Sequence, residues 1–138
     1  MKIEFANRIT VKQFNCLRAA VGWQELDNKQ AKTGIKNSIV FVACHKKQPI
    51  GMARIITDGG YIIFIADVIV LPVYQGKGIG TKLMNKVMKY ISNQQNEGYK
   101  FLISLGASKG KEQFYEKFGF KQRPNDESGA GMSIWKSE

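Results

Sequence analysis

A glycine-rich stretch in the middle of the chain has the composition of an anion-binding loop. The sequence "DVIVLPVYQGKGIGTKLM" reads as a strand that ends at a proline, then a loop, then an amphipathic helix. The loop glycines are Gly76, Gly78 and Gly80. Glycine lets the backbone turn several N–H groups toward one point, and the unpaired N–H groups that begin the helix face the same point. With Lys77 and Lys82 adding charge, we predict an anion site, most naturally for a diphosphate.

Neither of the two common phosphate-binding patterns fits this loop. A dinucleotide fingerprint, G-x-G-x-x-G, would begin at Gly76, but Thr81 stands where the third glycine belongs. A P-loop requires Gly-Lys followed by Ser or Thr, whereas Lys77 is followed by Gly78. The alternative is that the glycines only ease a strand-to-helix turn. Three glycines flanked by lysine and followed by threonine favour the anion site.

The bulk composition favours a folded cytoplasmic protein that attracts polyanions. The 138 residues carry a net charge of +10 and a pI near 9.7, which suits DNA, RNA, acidic membranes or phosphate-rich small molecules. Cys16 and Cys44 are far apart without a CxxC motif, and His45 alone cannot complete a zinc site. We therefore expect free thiols and no metal. The sequence has neither a secretory leader nor a long apolar run, so we expect a cytoplasmic location and no membrane partner.

Hydrophobic periodicity predicts the elements that must position the loop. The predicted order is β, α, (α), β, β, β, α, β, α, β, β, with Thr10 capping the first helix and an antiparallel meander from "SIVFVACHKK" to "YIIFIADVIVLP". The segment "YKFLISLG" is wholly apolar, which is typical of a strand buried on both faces. Phe120 and "GMSIW" each predict a further strand. We expect one α/β (α+β) domain over residues 1–138, whose mixed, mostly antiparallel sheet has about six or seven strands and helices on both faces.

Two segments together resemble the GNAT N-acetyltransferase superfamily. "VYQGKGIGTKLM" is similar to its acetyl-CoA-binding signature, Q/R-x-x-G-x-G/A, which Gln75, Gly78 and Gly80 fill here. "FLISLGASKGKEQFYEKFGF" is similar to its second signature, a buried strand followed by a helix that ends in "FYEKFGF". The two signatures cover Ala66 to Phe120, and the predicted element order outside them also fits. The resemblance implies the acyl-CoA N-acyltransferase-like fold and a small single-domain member.

The resemblance also implies roles for particular residues at an acetyl-CoA site. Backbone N–H groups of the loop, with Thr81, would wrap the pyrophosphate. These loop residues are Gln75, Gly76, Lys77, Gly78, Ile79 and Gly80. Ile69 and Val70 would pair their backbone with the pantetheine arm, where two central strands separate at a bulge. Tyr115 matches the tyrosine near the thioester sulfur, and Ser108 stands where the family often has an asparagine that contacts the cofactor.

Direct transfer of an acetyl group from a thioester to an amine sets three chemical requirements. The amine must be neutral, so a lysine-like amine with a pKa of about 10.4 must first lose a proton. The oxyanion of the tetrahedral intermediate needs a donor, and the backbone N–H of Val70 is our candidate. The leaving thiolate benefits from a proton. Helical spacing with Phe114 and Phe118 favours a core role for Tyr115, but the family match makes its hydroxyl our candidate general acid.

Acidic residues are the candidates for the general base and for the acceptor site. Asp67 lies in an apolar run, where an unpartnered carboxylate is costly, so it would accept the amine proton, bind a cationic substrate, or be a structural residue. Arg54 would either contact the cofactor or substrate or be a solvated strand residue, which we favour, and we interpret Trp23 and Trp135 as packing residues. Asp126 and Glu127 would either attract a cationic amine or form a solvated turn, which the composition favours.

Two other functions compete with catalysis. The charge of +10 suits a nucleic-acid-binding module, but the basic residues are scattered, without a basic arm or an arginine-rich helix, which argues against such a partner. A non-catalytic acyl-CoA-binding domain would keep the fold without turnover. The expected function is acetyl transfer from acetyl-CoA to a primary amine of a small molecule or a protein. The resemblance further suggests a homodimer.

Overall fold

The computed structural model describes residues 1–137 and is built around a five-stranded mixed sheet. The strands lie side by side in chain order; they are β1 (Glu4–Ala6), β2 (Ile39–His45), β3 (Gln48–Thr57), β4 (Ile62–Val70) and β5 (Leu102–Leu105). Neighbouring strands from β1 to β4 are antiparallel, and β5 is parallel to β4. A parallel neighbour requires a crossover connection, and here that connection is a helix. The predicted meander and strand-helix-strand unit are therefore confirmed.

Helices lie on both faces of this sheet, as the sequence predicts. They are α1 (Val11–Ala20), α2 (Asn28–Lys36), α3 (Ile79–Asn93) and α4 (Glu112–Glu116), with a 3-10 turn at Pro72–Tyr74. Thr10 caps α1 as expected: its side chain accepts a hydrogen bond from the Gln13 backbone N–H, and the Gln13 side chain accepts one from the Thr10 N–H. Asp27 caps α2 by accepting from the N–H groups of Lys29 and Gln30, without a reciprocal bond.

Two hydrophobic clusters fill the space between the sheet and its helices. One cluster joins the sheet to α3 and α4, and the other joins it to α1 and α2. Strand β2 serves both clusters because successive side chains of a strand point to opposite faces. Phe41 and Ala43 pack into the α3 cluster, whereas Val40 and Val42 pack into the α1 cluster. The central strands are thereby buried on both sides, which fixes their register.

A bulge in β4 reverses the alternation of its side chains between the two faces of the sheet, just before the strand reaches the glycine loop. Met52 pairs with Ile69, but Arg54 pairs with Ala66, so β4 carries one extra residue between these two positions. Asp67 lies in the bulge with a left-handed φ of 51°. Ile65 packs in the α3 cluster and Ile69 in the α1 cluster, although an even spacing along a regular strand would put both on one face. The bulge therefore re-aims the last residues of β4.

Strands β4 and β5 separate beyond this point. Their parallel pairing ends at Ile65 and Leu105, while β4 continues to Val70. The backbone of the last part of β4 is thus open on the side away from β3. The strand separation and the bulge that the resemblance implies are both confirmed.

The two strands predicted near the C-terminus of the chain do not form part of the sheet. Within residues 1–137 neither Phe120 nor "GMSIW" pairs with a strand, so the sheet has five strands rather than six or seven. Apolar alternation suits a strand, but strand formation depends on a partner to pack against, and Trp135 is instead 90% exposed. The expected burial of β5 on both faces was wrong for the same reason. As an edge strand it leaves Leu102 54% exposed.

The described helices are short and amphipathic. In the part of the chain that the structure covers, none of them has the length and apolar composition that a bilayer crossing requires.

Candidate active site

Two clefts adjoin where β4 and β5 separate. The first, the loop cleft, has a volume of about 820 Å³ and is lined by the end of β4, the glycine loop, the start of α3 and α4. The second, the aromatic cleft, has a volume of about 590 Å³ and lies between β4, β5 and the segment 23–26. Both are lined by Trp23, Val68, Ser108 and Tyr115. A molecule in one cleft can therefore contact a molecule in the other across these four residues.

The glycine loop forms one wall of the loop cleft. The predicted residues that line it are Gln75, Gly76, Gly78, Ile79, Gly80 and Thr81. Gly76 and Gly78 have left-handed φ angles of 77° and 81°, and a Cβ at either position would have open space around it. Gly78 is also the N-cap of α3 and supplies no side-chain cap to the first helical turn. The N–H groups of that turn, which have no partner within the helix, thus form a cradle suited to a diphosphate.

Gly80 has a packing reason to be glycine. Its φ lies outside the left-handed region, but a Cβ there would lie 3.3 Å from the ring of Phe114 and 3.8 Å from a methyl of Val70. Glycine at this position therefore lets α3 start close against α4 and the end of β4.

The end of β4 presents the backbone of Val70 to the loop cleft. The Leu71 N–H donates to the Ile50 carbonyl at 2.8 Å, so this N–H faces β3. Successive residues of a strand alternate, which turns the N–H and C=O of Val70 away from β3 and toward the gap. The Gln75 side chain donates to the Val70 carbonyl at 2.9 Å and ties the loop to the strand. The Val70 N–H is left facing the gap, as a donor to a ligand must be.

The geometry differs for Ile69, which we expected to share this role. A Cβ on Gly51 would lie 2.8 Å from the Ile69 carbonyl oxygen, so that oxygen faces β3 rather than the cleft. Ile69 lines the loop cleft, but its side chain is buried in the α1 cluster. Because of the bulge, Val68 takes the place of Ile69 on the open edge, and it lines both clefts.

Tyr115 and Ser108 lie where the two clefts meet. Tyr115 is 8% exposed and packs edge-on against Phe114 at 5.0 Å and Phe120 at 6.3 Å between ring centroids. Its hydroxyl makes no hydrogen bond to another described residue, although the side chain lines both clefts. Burial raises the pKa of the Tyr115 hydroxyl, which keeps it protonated at neutral pH. It is therefore a proton donor rather than a base.

Different lysines line the cleft from those that the sequence suggested. Lys77 and Lys82 do not line the loop cleft, whereas Lys111 and Lys117 do. Lys117 also lies over the Phe114 ring at 5.2 Å from its centroid. The sequence could have indicated these two lysines, because they flank the aromatic pair of α4. The prediction instead named the lysines in and beside the loop. The positive charge that lines the loop cleft comes from the two residues that flank α4.

Asp67 forms the centre of a buried ion-pair cluster. One carboxylate oxygen accepts from Arg18 Nη1 at 3.0 Å and the other from Arg54 Nε at 2.5 Å. The Asp67 side chain is only 9% exposed, and Arg54 also donates to the Gly34 carbonyl. These contacts support the structural role among those considered for Asp67. The interpretation of Arg54 as a solvated residue was wrong.

The segment that walls the aromatic cleft is fixed by buried side chains of α1. Asn15 donates to the Leu26 carbonyl and accepts from the Leu26 N–H, both at 3.0 Å. Arg18 Nε donates to the Gln24 carbonyl at 2.9 Å, and the Arg18 carbonyl accepts from the Trp23 N–H at 2.9 Å. Trp23, which we interpreted as a packing residue, is thereby held in the wall of both clefts. Sequence alone gave no signal for this, because the contacts depend on the fold of the loop.

Several other candidates lie outside these two clefts, although Glu127 lines a third cleft of about 960 Å³ that also reaches Tyr115. Asp126 and Glu127 are exposed in a turn in which the Asn125 side chain accepts from the N–H groups of Glu127 and Ser128. Cys16 and Cys44 are free thiols. Over residues 1–137 no three His, Cys, Asp or Glu side chains are grouped closely enough to hold a metal ion.

Comparison with known proteins agrees with this geometry. The family model described as "Acetyltransferase (GNAT) domain" matches residues 36–122. The chain is 27% identical to an uncharacterized N-acetyltransferase, ycf52, of Pyropia yezoensis, over 93% of this chain and 78% of that one. It is 30% identical to the histone acetyltransferase TAP1 of Glycine max over 84% of its own length, and it spans about half (54%) of that relative.

A solved structure shares the whole fold. It is a protein of unknown function, a probable acetyltransferase, from meticillin-resistant Staphylococcus aureus. The two superpose with a TM-score of 0.87 at 32% identity, covering 98% of this chain and 100% of that one. The mixed, mostly antiparallel α/β sheet with helices on both faces is thus the acyl-CoA N-acyltransferase-like fold. The family match, the relatives and this shared fold lead to one conclusion: the chain belongs to the GNAT acetyltransferase family.

Proposed function

We propose that the chain is an N-acetyltransferase that transfers the acetyl group of acetyl-CoA directly to a primary amine. The observation that carries the proposal is the junction of the two clefts at Tyr115. The loop cleft, with the N-terminus of α3, lies on one side, and the aromatic cleft, large enough for a small amine, lies on the other. Direct transfer requires that the donor site and the acceptor site adjoin, so that the amine nitrogen can reach the acetyl carbon. Bound acetyl-CoA would supply an activated acetyl group as a thioester.

The residues of the loop cleft suit the parts of acetyl-CoA in order. The N–H groups at the start of α3 and the loop from Gly76 to Gly80 would hold the pyrophosphate. Lys111 and Lys117 would add positive charge near the phosphates. The open backbone edge of Val68 and Val70 would pair with the amide groups of the pantetheine arm, as an added strand would. In this arrangement Ser108 would donate a hydrogen bond near the thioester.

Two groups of the chain would assist the transfer itself. The Val70 N–H would donate to the acetyl oxygen as that oxygen gains charge during attack. The new bond joins the amine nitrogen to the acetyl carbon as the carbon–sulfur bond breaks. The Tyr115 hydroxyl would give its proton to the departing sulfur, and the amine proton would pass to solvent. Val70 and Tyr115 both line the loop cleft.

In this proposal Asp67 positions other residues and does not remove a proton. Its two oxygens already accept hydrogen bonds from Arg18 and Arg54, so both are occupied by these two cations. The acceptor amine would lose its proton to water before it attacks.

The remaining expectations stay predictions from composition and resemblance. They are one domain over residues 1–138, a cytoplasmic location, a homodimer and no metal cofactor. A nucleic-acid partner is a second candidate because of the net charge of +10. A non-catalytic acyl-CoA-binding domain is a third. Tyr115 is nearly buried, yet its hydroxyl is free of hydrogen bonds to described residues at the junction, which favours turnover over either of these.

A thiol-release assay tests the proposal. The protein is incubated with acetyl-CoA and a panel of primary amines, free CoA is followed with a thiol reagent, and acetylated products are identified by mass spectrometry. We expect amine-dependent CoA release with one acetyl group added per CoA. Saturable acetyl-CoA binding without release for any amine would favour the non-catalytic domain.

A further inference from the structure

The aromatic cleft has the lining of a site for an apolar ligand. Its walls are mainly hydrophobic or aromatic, including Trp23, Leu26, Phe64, Val68 and Leu105. A volume of about 590 Å³ is in the range of small-molecule sites. A polycation such as a polyamine would gain little from the aliphatic part of these walls, because aliphatic surface does not compensate for the water that an ammonium loses.

The charged groups of this cleft also disfavour a cationic ligand. Its charged lining residues are Arg18 and Asp67, and Asp67 is already bound by Arg18 and Arg54. Two guanidinium groups and one carboxylate leave this cluster with a net charge of +1. Asp126 and Glu127, which could have attracted an amine, do not line the aromatic cleft. An ammonium therefore finds no uncommitted carboxylate among the described lining residues.

Arg18 is instead placed to bind an anion. Its guanidinium lies 5.7 Å from the centroid of Phe14 and 5.4 Å from that of Trp23. Hydrogen bonds to the Gln24 carbonyl and to Asp67 use Nε and Nη1, which account for two of the five N–H donors of a guanidinium. The group is thus held rigidly at the wall of the cleft with donors to spare. Such a preorganised guanidinium is well suited to a carboxylate.

We infer that the acceptor is an amine that carries a carboxylate and an apolar body, such as an amino acid with an aromatic or branched side chain. The carboxylate binds Arg18, the body packs against Trp23 and Leu26, and the amine reaches the junction at Tyr115. This inference rests on the proposed acetyl transfer and names its substrate class. Arg18 is the specificity-determining residue, and Asp67 with Trp23 positions it.

A matched series of acceptors tests this inference on the unmodified protein. Phenylalanine, phenylalaninamide and phenethylamine share one apolar body but differ in the acidic group, and spermidine represents the polycations. CoA release gives kcat/KM for each, referred to the concentration of neutral amine. A charge-assisted hydrogen bond to Arg18 should favour phenylalanine over its amide by about tenfold or more, with spermidine slowest.

Variants of Arg18 separate recognition from folding. Arg18→Lys should lower the ratio of the phenylalanine to the phenylalaninamide kcat/KM at least about fivefold, because Lys lacks the forked donors. Arg8→Lys, at an exposed position, is the matched control and should leave the ratio unchanged. If Arg18→Lys does not fold, Trp23→Leu keeps the ion pair, removes the stacked ring and should lower the same ratio.

The outcomes separate the acceptor class from the transfer itself. A preference for phenylalanine that Arg18→Lys or Trp23→Leu weakens supports the inference. Turnover of spermidine or of the amide at rates equal to or above that of phenylalanine overturns the acceptor class and upholds acetyl transfer. Absence of CoA release with every amine overturns both.

Discussion

At the scale of single residues, the hydroxyl of Tyr115 combines the properties that a proton donor needs. The Tyr115 side chain is nearly buried, burial raises the pKa of the hydroxyl, and the side chain lies at the junction of the two clefts. Tyr115→Phe keeps the ring that packs against Phe114 and Phe120 and removes the proton. We expect kcat to fall by about 10²-fold or more, the usual contribution of a general acid, with acetyl-CoA affinity unchanged.

The control for Tyr115→Phe is the same change at a tyrosine outside the clefts. Tyr90 packs edge-on against Phe41 at 5.9 Å and lines neither cleft. Tyr90→Phe should leave kcat within about twofold, a range too small for loss of an acid. Steady-state kinetics and acetyl-CoA titration measure both effects. Equal kcat values for the Tyr115→Phe variant and the original chain would remove Tyr115 from the mechanism.

The pH dependence of kcat/KM follows from the role of Tyr115 and from the proposal that Asp67 does not act as a base. Without a base on the chain, kcat/KM should rise about tenfold per pH unit until the pKa of the acceptor amine itself. It should fall again only above the raised pKa of Tyr115, which lies above the ordinary value of 10, because the acid is then deprotonated.

Two acceptors with different amine pKa values distinguish this from catalysis by an enzymic base. A peptide α-amine, with a pKa of about 7.7–8.0, and a lysine ε-amine near 10.4 are a suitable pair. The ascending limb should break at a different pH for each amine. A shared break for both amines would instead indicate a basic group on the protein.

At the scale of elements, the ion-pair cluster connects three of them. Asp67 in the bulge of β4 binds Arg18 of α1 and Arg54 of β3. Asp67→Asn tolerates the left-handed backbone but removes the charge between two buried guanidinium groups. Breaking such a pair leaves uncompensated charge, so the free energy of unfolding should drop by about 3–5 kcal/mol, measured by urea denaturation.

An exposed aspartate provides the comparison for this loss. Asp58 lies in the turn after β3, where its side chain accepts from the Gly60 N–H, and Asn can accept in the same way. Asp58→Asn should therefore change the free energy of unfolding by less than about 0.5 kcal/mol. If Asp67→Asn were as stable as the original chain but lost turnover, Asp67 would be a catalytic base rather than a structural centre.

The glycine loop allows a matched test at the start of α3. Gly78 in the loop and Gly59 in the β3–β4 turn both have left-handed φ angles, 81° and 87°, and free space around a Cβ. Replacement of either by Ala should cost about 1–2 kcal/mol of stability. Only Gly78→Ala puts a methyl group in the loop cleft, so it alone should weaken acetyl-CoA binding, by about tenfold in a calorimetric titration. Equal affinity in both variants would show that the loop does not hold the cofactor.

The elements also show which features the sequence could predict. The loop, α3 and the aromatic pair of α4 depend on neighbouring residues, so their periodicity and glycine spacing identified them. The Asp67 cluster joins residues that are 49 and 13 positions apart, and no local pattern records such a pairing. The prediction of two C-terminal strands was wrong, because composition predicts the tendency to form a strand but not the presence of a partner strand.

At the scale of the whole molecule, the charge of +10 gives two candidate ligands that one experiment distinguishes. The 21 basic residues outnumber 11 acidic ones and attract both acetyl-CoA and nucleic acid. Attraction alone is weak at physiological salt, because diffuse charges are screened over about 8 Å. Tight binding requires a built site, and we propose the loop cleft as such a site for a diphosphate but not for a duplex.

Thermal unfolding with each ligand at equal concentration measures this difference. A ligand that binds only the folded chain stabilises it by mass action, about 2.7 kcal/mol at 100 times its Kd. For a chain of 138 residues that corresponds to a rise in Tm of several degrees, which we expect with acetyl-CoA and not with duplex DNA at physiological salt. A rise with DNA alone would mean that the glycine loop serves only as a strand-to-helix turn and that the basic surface is the binding site. A rise with both that disappears for DNA at higher salt would mean that only acetyl-CoA has a built site, because screening removes diffuse attraction first.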